Sequence, residues 1–171
     1  MIDQQGFRPN VGIILSNEAG ELFWARRAGE DAWQFPQGGI RDDETPEQAL
    51  YRELAEEVGL APDHVQVIGR TQDWLHYRIP KRYLRRNRRN PQFIGQKQLW
   101  FMLKLVGPED EVRLDNSDKP EFDSWRWIDY WETVSLVVPF KRVVYRQALE
   151  ALIPLIKPIG ASTVAEQLKH R

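Results

Sequence analysis

Residues 38–60 read GGIRDDETPEQALYRELAEEVGL, and their local chemistry describes a glycine loop, one helix and a stop. Thr45 is suited to cap the helix, Pro46 to its first turn, and Gln48 completes a Thr-x-x-Gln capping box. Gly59 can adopt the left-handed backbone that closes a helix. Leu50, Leu54 and Val58 recur at every fourth position and form the stripe that such a helix buries. Glu53, Glu56 and Glu57 stand at i, i+3 and i+4, so their carboxylates gather on a different face, turned to solvent. Each like-charge pair at that spacing costs about 0.2–0.5 kcal/mol.

Taken alone, a glutamate trio of this kind reads as a solvated acidic face. A hard divalent cation gives it a second reading, because Mg²⁺ takes carboxylate oxygens, keeps several waters and is shared with substrate phosphates. It neutralises phosphate charge and lowers the pKa of a water, so that hydrolysis can run near neutral pH. Gly38 and Gly39 let the backbone approach closely, and the Gly38 carbonyl offers an additional ligand.

Gly38, Glu44, Arg52, Glu53, Leu54, Glu56, Glu57, Gly59 and Leu60 follow the spacing Gly-x5-Glu-x7-Arg-Glu-Leu-x-Glu-Glu-x-Gly-Leu. This spacing resembles the signature box of the Nudix hydrolases, enzymes that cleave a nucleoside diphosphate linked to another group. The resemblance implies an α/β protein with the Nudix fold: an α/β/α sandwich around a mixed central sheet, with the box as its catalytic loop-helix-loop. It implies Mg²⁺ as cofactor, with Mn²⁺ or another divalent cation as a substitute, held by Glu53, Glu56 and Glu57. Glu44 and Arg52 resemble a structural brace that orients the loop against the helix, outside the chemistry.

The remainder of the chain is compatible with that expectation. Its 171 residues fit one domain with a substantial core. A formal net charge of −1 with 42% apolar residues is that of an ordinary soluble globular protein. The absence of cysteine excludes disulfides and thiolate metal sites and suits a cytoplasmic location. No apolar run reaches membrane-spanning length, so no membrane association is expected. His64, His76 and His170 show no ligand spacing, which argues against a histidine zinc site. The absence of GxSxG, a Walker A loop and cysteine leaves serine-hydrolase, P-loop and thiol chemistry without support.

The pattern along the chain is mixed. Val11 to Leu15 and Leu22 to Ala25 read as strands of a hairpin turning through Ser16 to Gly20, and Trp33 to Phe35 as a short strand leading into the box. Residues 65–79 hold one or two strands, and Gln98 to Val106 a further one. In Ser124 to Ile128 the alternation places Trp125 and Trp127 on one face. Val144, Ala148, Leu152 and Ile156 predict a last helix over 140–156, ended by Pro158. Residues 1–157 are therefore expected to form one domain and 158–171 a flexible tail.

Charge narrows the substrate. Between Arg78 and Lys97 lie Lys81, Arg82, Arg85, Arg86, Arg88 and Arg89 and no acidic residue. Such a run is a solvated loop or, beside a phosphate site, a surface that steers and grips a polyanion. Tyr77, Tyr83 and Phe93 are interleaved with it, suited either to core packing or to stacking on bases. Arg8, Arg26 and Arg27 add further cations.

The resemblance also extends beyond the box. GFRPNVGIIL (6–15), WARR (24–27), WQFPQGGI (33–40), GQKQLWF (95–101), PEFDSWRW (120–127) and PFKRVVYR (139–146) are similar to phrases of bacterial Nudix hydrolases acting on RNA 5′ ends. Those enzymes are also described as dinucleoside polyphosphate hydrolases. The basic block is denser here than in that group. The similarity implies conversion of 5′-triphosphate or 5′-diphosphate RNA to 5′-monophosphate, which exposes transcripts to decay, with 5′-phosphorylated RNA as partner. It implies Glu121 as a further carboxylate from outside the box, and Arg8 and Lys141 as phosphate contacts. It implies Arg27 and Phe140 as a pair that sandwiches a base near the 5′ end. Read from the residues alone, Glu121 is a loop acid and Phe140 a core position. Glu57 or Glu53, and alternatively Glu121, is the general base. Two other functions remain: hydrolysis of diadenosine polyphosphates, and a non-catalytic Nudix domain that binds RNA or a ligand as a regulator. The intact set of box carboxylates weighs against the latter.

Overall fold

A computed structural model of the chain describes residues 1–84 and 92–159. Arg85, Arg86, Arg88, Arg89, His170 and most of the expected tail lie outside the described residues. Eight strands build one mixed sheet: β1 (Phe7–Ser16), β2 (Leu22–Arg27), β3 (Trp33–Gln34), β4 (Gln37–Gly39), β5 (Val65–Arg70), β6 (Leu75–Arg78), β7 (Gly95–Leu105) and β8 (Phe122–Ile128). The order β3-β2-β1-β7-β5 is its spine, with β4 beside β1, β6 beside β7 and β8 beside β2. β1 and β7 run parallel over their shared length, and the other pairs are antiparallel.

Alternation along the central strands creates two cores. Val11, Ile13 and Leu15 of β1, with Leu99, Phe101 and Leu103 of β7, face the helix of residues 46–58 and its buried Leu50, Leu54 and Val58. Ile14, Trp100 and Met102 face the opposite side, against the late helix α4 (Arg142–Leu152) and its Val144, Tyr145, Ala148 and Leu149. Both faces of the sheet are thus covered, which is the expected α/β/α layering. Trp125 and Trp127 do share a face, packing with Phe23 on the first core.

Several details depart from the sequence reading. The glycines that open the box, expected in a loop, belong to a strand: Gln37–Gly39 pairs with β1 through Asn10↔Gly39 and Val11↔Gly38. The box helix is two pieces, α1 (Pro46–Glu53) and a π-helical turn over Leu54–Val58. Periodicity cannot distinguish these, because the wider turn keeps Leu54 and Val58 on the buried side. The short helices α2 (Lys81–Leu84) and α3 (Glu132–Leu136) were not expected. The late helix begins at Arg142 after a 3₁₀ turn (Pro139–Lys141) and leaves α geometry at Leu152, continuing as a 3₁₀ segment over Ile153–Ile159. Pro154 accounts for the early end, since it has no N–H to donate to the preceding turn.

Candidate active site

The box is held at both ends by local chemistry. Thr45 Oγ1 accepts from the Gln48 N–H at 3.2 Å, and Gln48 Oε1 accepts from the Thr45 N–H at 2.9 Å, a closed capping box. Gly59 ends the segment at φ 76°, and a Cβ there would collide with Arg113. Between them, Arg52 ties loop to helix. Its guanidinium donates to Glu44 Oε2 at 2.6 Å and Oε1 at 2.9 Å, and to the Gly39 carbonyl at 2.8 Å. The Arg41 N–H also donates to Glu44, at 2.8 Å. Hydrogen bonding from Arg52 is the main cause that lowers the Glu44 pKa to about 2.

Arg52 does more than brace. It donates to Glu53 Oε1 at 2.6 Å and lies 3.4 Å from Glu56 Oε2, so it touches two of the carboxylates assigned to the metal. Glu53 itself is buried, contrary to the expectation of a solvent-facing trio, because β4 and the loop close over it. Its carboxylate lies so close to Gly38 that a Cβ at position 38 would overlap it. Glu56 is exposed. Glu57 projects from the π turn with its Oε2 buried and without a hydrogen-bond partner. Burial first, then the nearby Glu53, Glu121 and Glu56 carboxylates, pushes the Glu57 pKa up to about 10.

The charge of Glu121 therefore reaches the box from the start of β8. Its carboxylate lies 3.9 Å from Arg27, and its carbonyl accepts the Ala28 N–H at 2.9 Å. A register shift in the β2–β8 pairing falls between Arg26 and Arg27, a bulge of the kind that re-aims a side chain. Arg26 leaves the centre to make a two-pronged bond with Asp123 at 2.7 and 2.9 Å. Arg27 stays, and its charge acts on Tyr77 and Lys141. Lys141 is buried, with Nζ 3.3 Å from Gln34 Oε1, and burial followed by the Arg27 charge lowers its pKa to about 8 while Glu121 opposes the shift.

The structure thus brings Glu53, Glu56, Glu57, Glu121, Arg27 and Lys141 into one electrostatic neighbourhood, with Gly38 against Glu53. Phe140 adjoins it through Tyr77, at 6.0 Å between ring centres, and is half-buried, part core and part surface. Arg8 stands at the opening of β1, its guanidinium 4.4 Å from the Phe93 ring centre. The sequence reading missed Gln34 and the chain of amides beneath the site, in which Gln98 donates to Asn10 at 2.9 Å and to Gln37 at 3.1 Å. Their one visible signal was a polar residue at an inward position of an apolar strand. A cavity of about 460 Å³ lined by Asn17, Lys104, Glu109 and Trp127 lies at the far end of β1 and β7 and includes none of these residues.

A family model, the NUDIX domain, matches residues 6–148. The chain belongs to the NUDIX domain family. Among its relatives, a protein of Thioalkalivibrio sulfidiphilus described as an RNA pyrophosphohydrolase is 64% identical over 171 residues, covering 100% of this chain and 98% of the relative. One of Marinomonas sp. with the same description is 60% identical over 154 residues, 90% of this chain and 95% of its own length. Solved Nudix-type structures share the fold. The E. coli dihydroneopterin triphosphate pyrophosphohydrolase superposes with a TM-score of 0.66 at 21% identity, over 84% of this chain and 94% of that one. A C. elegans Ap4A hydrolase gives 0.59 at 17%, over 82% and 93%.

The donor set suits the divalent cation of NUDIX hydrolases. Glu57 offers a buried, unpartnered oxygen among carboxylates whose mutual repulsion a cation relieves. Among the described residues, no three acidic or imidazole groups already converge as a coordination shell. A partial set is what Mg²⁺ uses, since it keeps waters and takes substrate phosphate oxygens.

Proposed function

We propose that this NUDIX protein is an RNA 5′-pyrophosphohydrolase, converting 5′-triphosphate or 5′-diphosphate RNA ends to 5′-monophosphate and so opening transcripts to decay. The observation that carries this reading is the buried, unpartnered Oε2 of Glu57 amid acidic neighbours, one of which, Glu121, also faces Arg27 and Lys141. An acidic centre flanked by cations has the charge pattern a 5′ polyphosphate needs. The full-length likeness to proteins described as RNA pyrophosphohydrolases supports RNA as its carrier.

Glu53, Glu56 and Glu57, with Glu121 and the Gly38 carbonyl, would hold Mg²⁺. When bound, the cation screens phosphate charge and lowers the pKa of a water. Glu57 or Glu53, and alternatively Glu121, accepts the proton of the attacking water as the phosphoanhydride opens. Arg52 holds the Glu53 carboxylate in one orientation and ties it to the loop through Glu44. Lys141 and Arg27 neutralise charge on the polyphosphate, and Arg8 contacts it from the mouth of β1. Lys141, with its pKa lowered to about 8, is already mostly charged near neutral pH, and an arriving anion favours that form further. Arg27 and Phe140 hold the base near the 5′ end.

The test compares phosphate release from 5′-triphosphate RNA and from a diadenosine polyphosphate, each with and without Mg²⁺. Mg²⁺-dependent turnover of RNA is expected. Turnover of the dinucleotide alone would reassign the substrate, and turnover of neither would leave a binding domain.

A further inference from the structure

The basic stretch carries Tyr77, Tyr83 and Phe93, and the fold treats them differently. Tyr77 and Phe93 are each 7% exposed. Tyr77 belongs to the second core, where its hydroxyl accepts from Gln37 at 3.4 Å, and Phe93 lies beneath Arg8. Tyr83 is 43% exposed, so it is the one of the three whose ring face a ligand can reach. It is nonetheless placed with care. Its N–H donates to the Pro80 carbonyl at 2.9 Å, and its ring centre lies 5.6 Å from that of Phe140 at 44°. Phe140 in turn lies 6.0 Å from Tyr77, so three rings form a ladder from the core to the surface.

Arg78, Lys81 and Arg82, all exposed, are close to the outer rung in sequence, and Arg82 touches it. The Arg82 guanidinium sits 4.9 Å from the Tyr83 ring centre, so the π face is already occupied by a cation of the chain itself. A guanidinium on an exposed side chain can swing to a phosphate and leave the face to a base, a combination common to single-strand binding surfaces.

Resting on the RNA reading above, we infer that Tyr83 is a second stacking platform, which takes the nucleotide that follows the one held at Phe140. Neighbouring rings serve neighbouring bases, and Arg82 moves to the phosphate between them. The platform would make affinity depend on RNA length beyond the reacting end. A stacking surface has no base-edge donors or acceptors to read, so the preference at that nucleotide would be broad.

The experiment uses the full chain, as wild type, Tyr83→Ala and Tyr83→Phe, on 5′-triphosphate RNAs of increasing length from a dinucleotide upward. Binding of the 5′-monophosphate product RNAs is followed by fluorescence anisotropy without metal. Tyr83→Ala is expected to raise KM and Kd about five- to hundredfold for RNAs that reach the platform, with kcat and thermal unfolding unchanged. On the shortest RNA it should match wild type, and Tyr83→Phe should match wild type throughout. Equal KM and Kd for Tyr83→Ala and wild type at every length would overturn the inference, leaving this face to solvent or to a protein partner. An equal loss at every length would overturn it also, as a structural defect. Wild type without activity on any RNA would sink the RNA reading itself, whereas normal RNA hydrolysis with an indifferent Tyr83→Ala sinks only the platform.

Discussion

Glu44 and Glu57 belong to one short segment, and the chain treats their carboxyl groups in opposite ways. Glu44 receives two bonds from Arg52 and one from the Arg41 backbone, and its pKa falls to about 2. Glu57 is half-buried beside other carboxylates, with its Oε2 buried and unpartnered, and its pKa rises to about 10. The first group is complete within the chain. The second has no counter-charge of the chain's own among its described neighbours, so it favours the protonated form. Residue type does not separate these two glutamates; the presence or absence of an internal counter-charge does, and the proposed chemistry falls on the one without it.

The sharpest way to break the comparison is to neutralise each carboxyl. Glu57→Gln should lower Mg²⁺-dependent turnover by about 10²–10⁴-fold, the range of a lost acid–base group. Its thermal unfolding without metal should be unchanged or raised, because the buried group's tendency to ionise is removed. Near-normal rates would show that Glu57 lies outside the chemistry.

Metal removal separates the two residues next. Saturating Mg²⁺, at about a hundredfold over its Kd, should stabilise wild type by about 2.7 kcal/mol. Glu44→Gln should keep most of that gain and Glu57→Gln should lose it. The measurement is the Tm with Mg²⁺ and with a chelator. Equal gains in both variants would place the cation elsewhere.

Glu44→Gln should in turn destabilise the metal-free protein by about 1–3 kcal/mol, the worth of hydrogen bonds to a charged group. Urea unfolding checks this. A change within error would mean that the bonds of Arg52 to Glu53 and Gly39 suffice to hold the loop.

Smallest per unit change is the pH dependence, where the two groups have opposite signs. The folded pKa of Glu44 lies below its ordinary 4.5, so its contribution is full above pH 4.5 and is lost as pH falls toward 2. The folded pKa of Glu57 lies above 4.5, so stability is greatest below that pH and declines as pH rises toward 10. Neither slope exceeds about 1.4 kcal/mol per pH unit. Metal-free urea unfolding across pH should therefore lose its acid limb in Glu44→Gln and its alkaline decline in Glu57→Gln. The same curve for both variants would contradict the opposed environments.

The box was legible because its signals are local. Thr45, Pro46, Gln48 and Gly59 act on backbone within a few residues, and the Leu50, Leu54, Val58 stripe follows from helical spacing. The central strands were legible for the same reason, since alternation in β1 and β7 sorts side chains to two faces. Short and irregular pieces were not. The strand at Gln37–Gly39 and the Arg26/Arg27 bulge exist because of pairing partners distant in the chain, and the π turn keeps the same buried stripe as an α-helix. Propensity within a window carries no trace of them.

Sequence alone determined the donors: which carboxylates and cations the chain owns, and that three acids lie within one helical turn or so of each other. Only the tertiary structure decided their state. Glu53 is buried under Gly38 because β4 brings that glycine to the box helix, and the Glu57 pKa is raised in part by Glu121, which precedes β8. Lys141 shares their field because a late 3₁₀ turn packs against β3 and β6. Charge and hydrogen-bonding capacity are written in single residues, whereas desolvation and mutual distance are properties of packing, and it is those that set a carboxyl at about 2 or about 10.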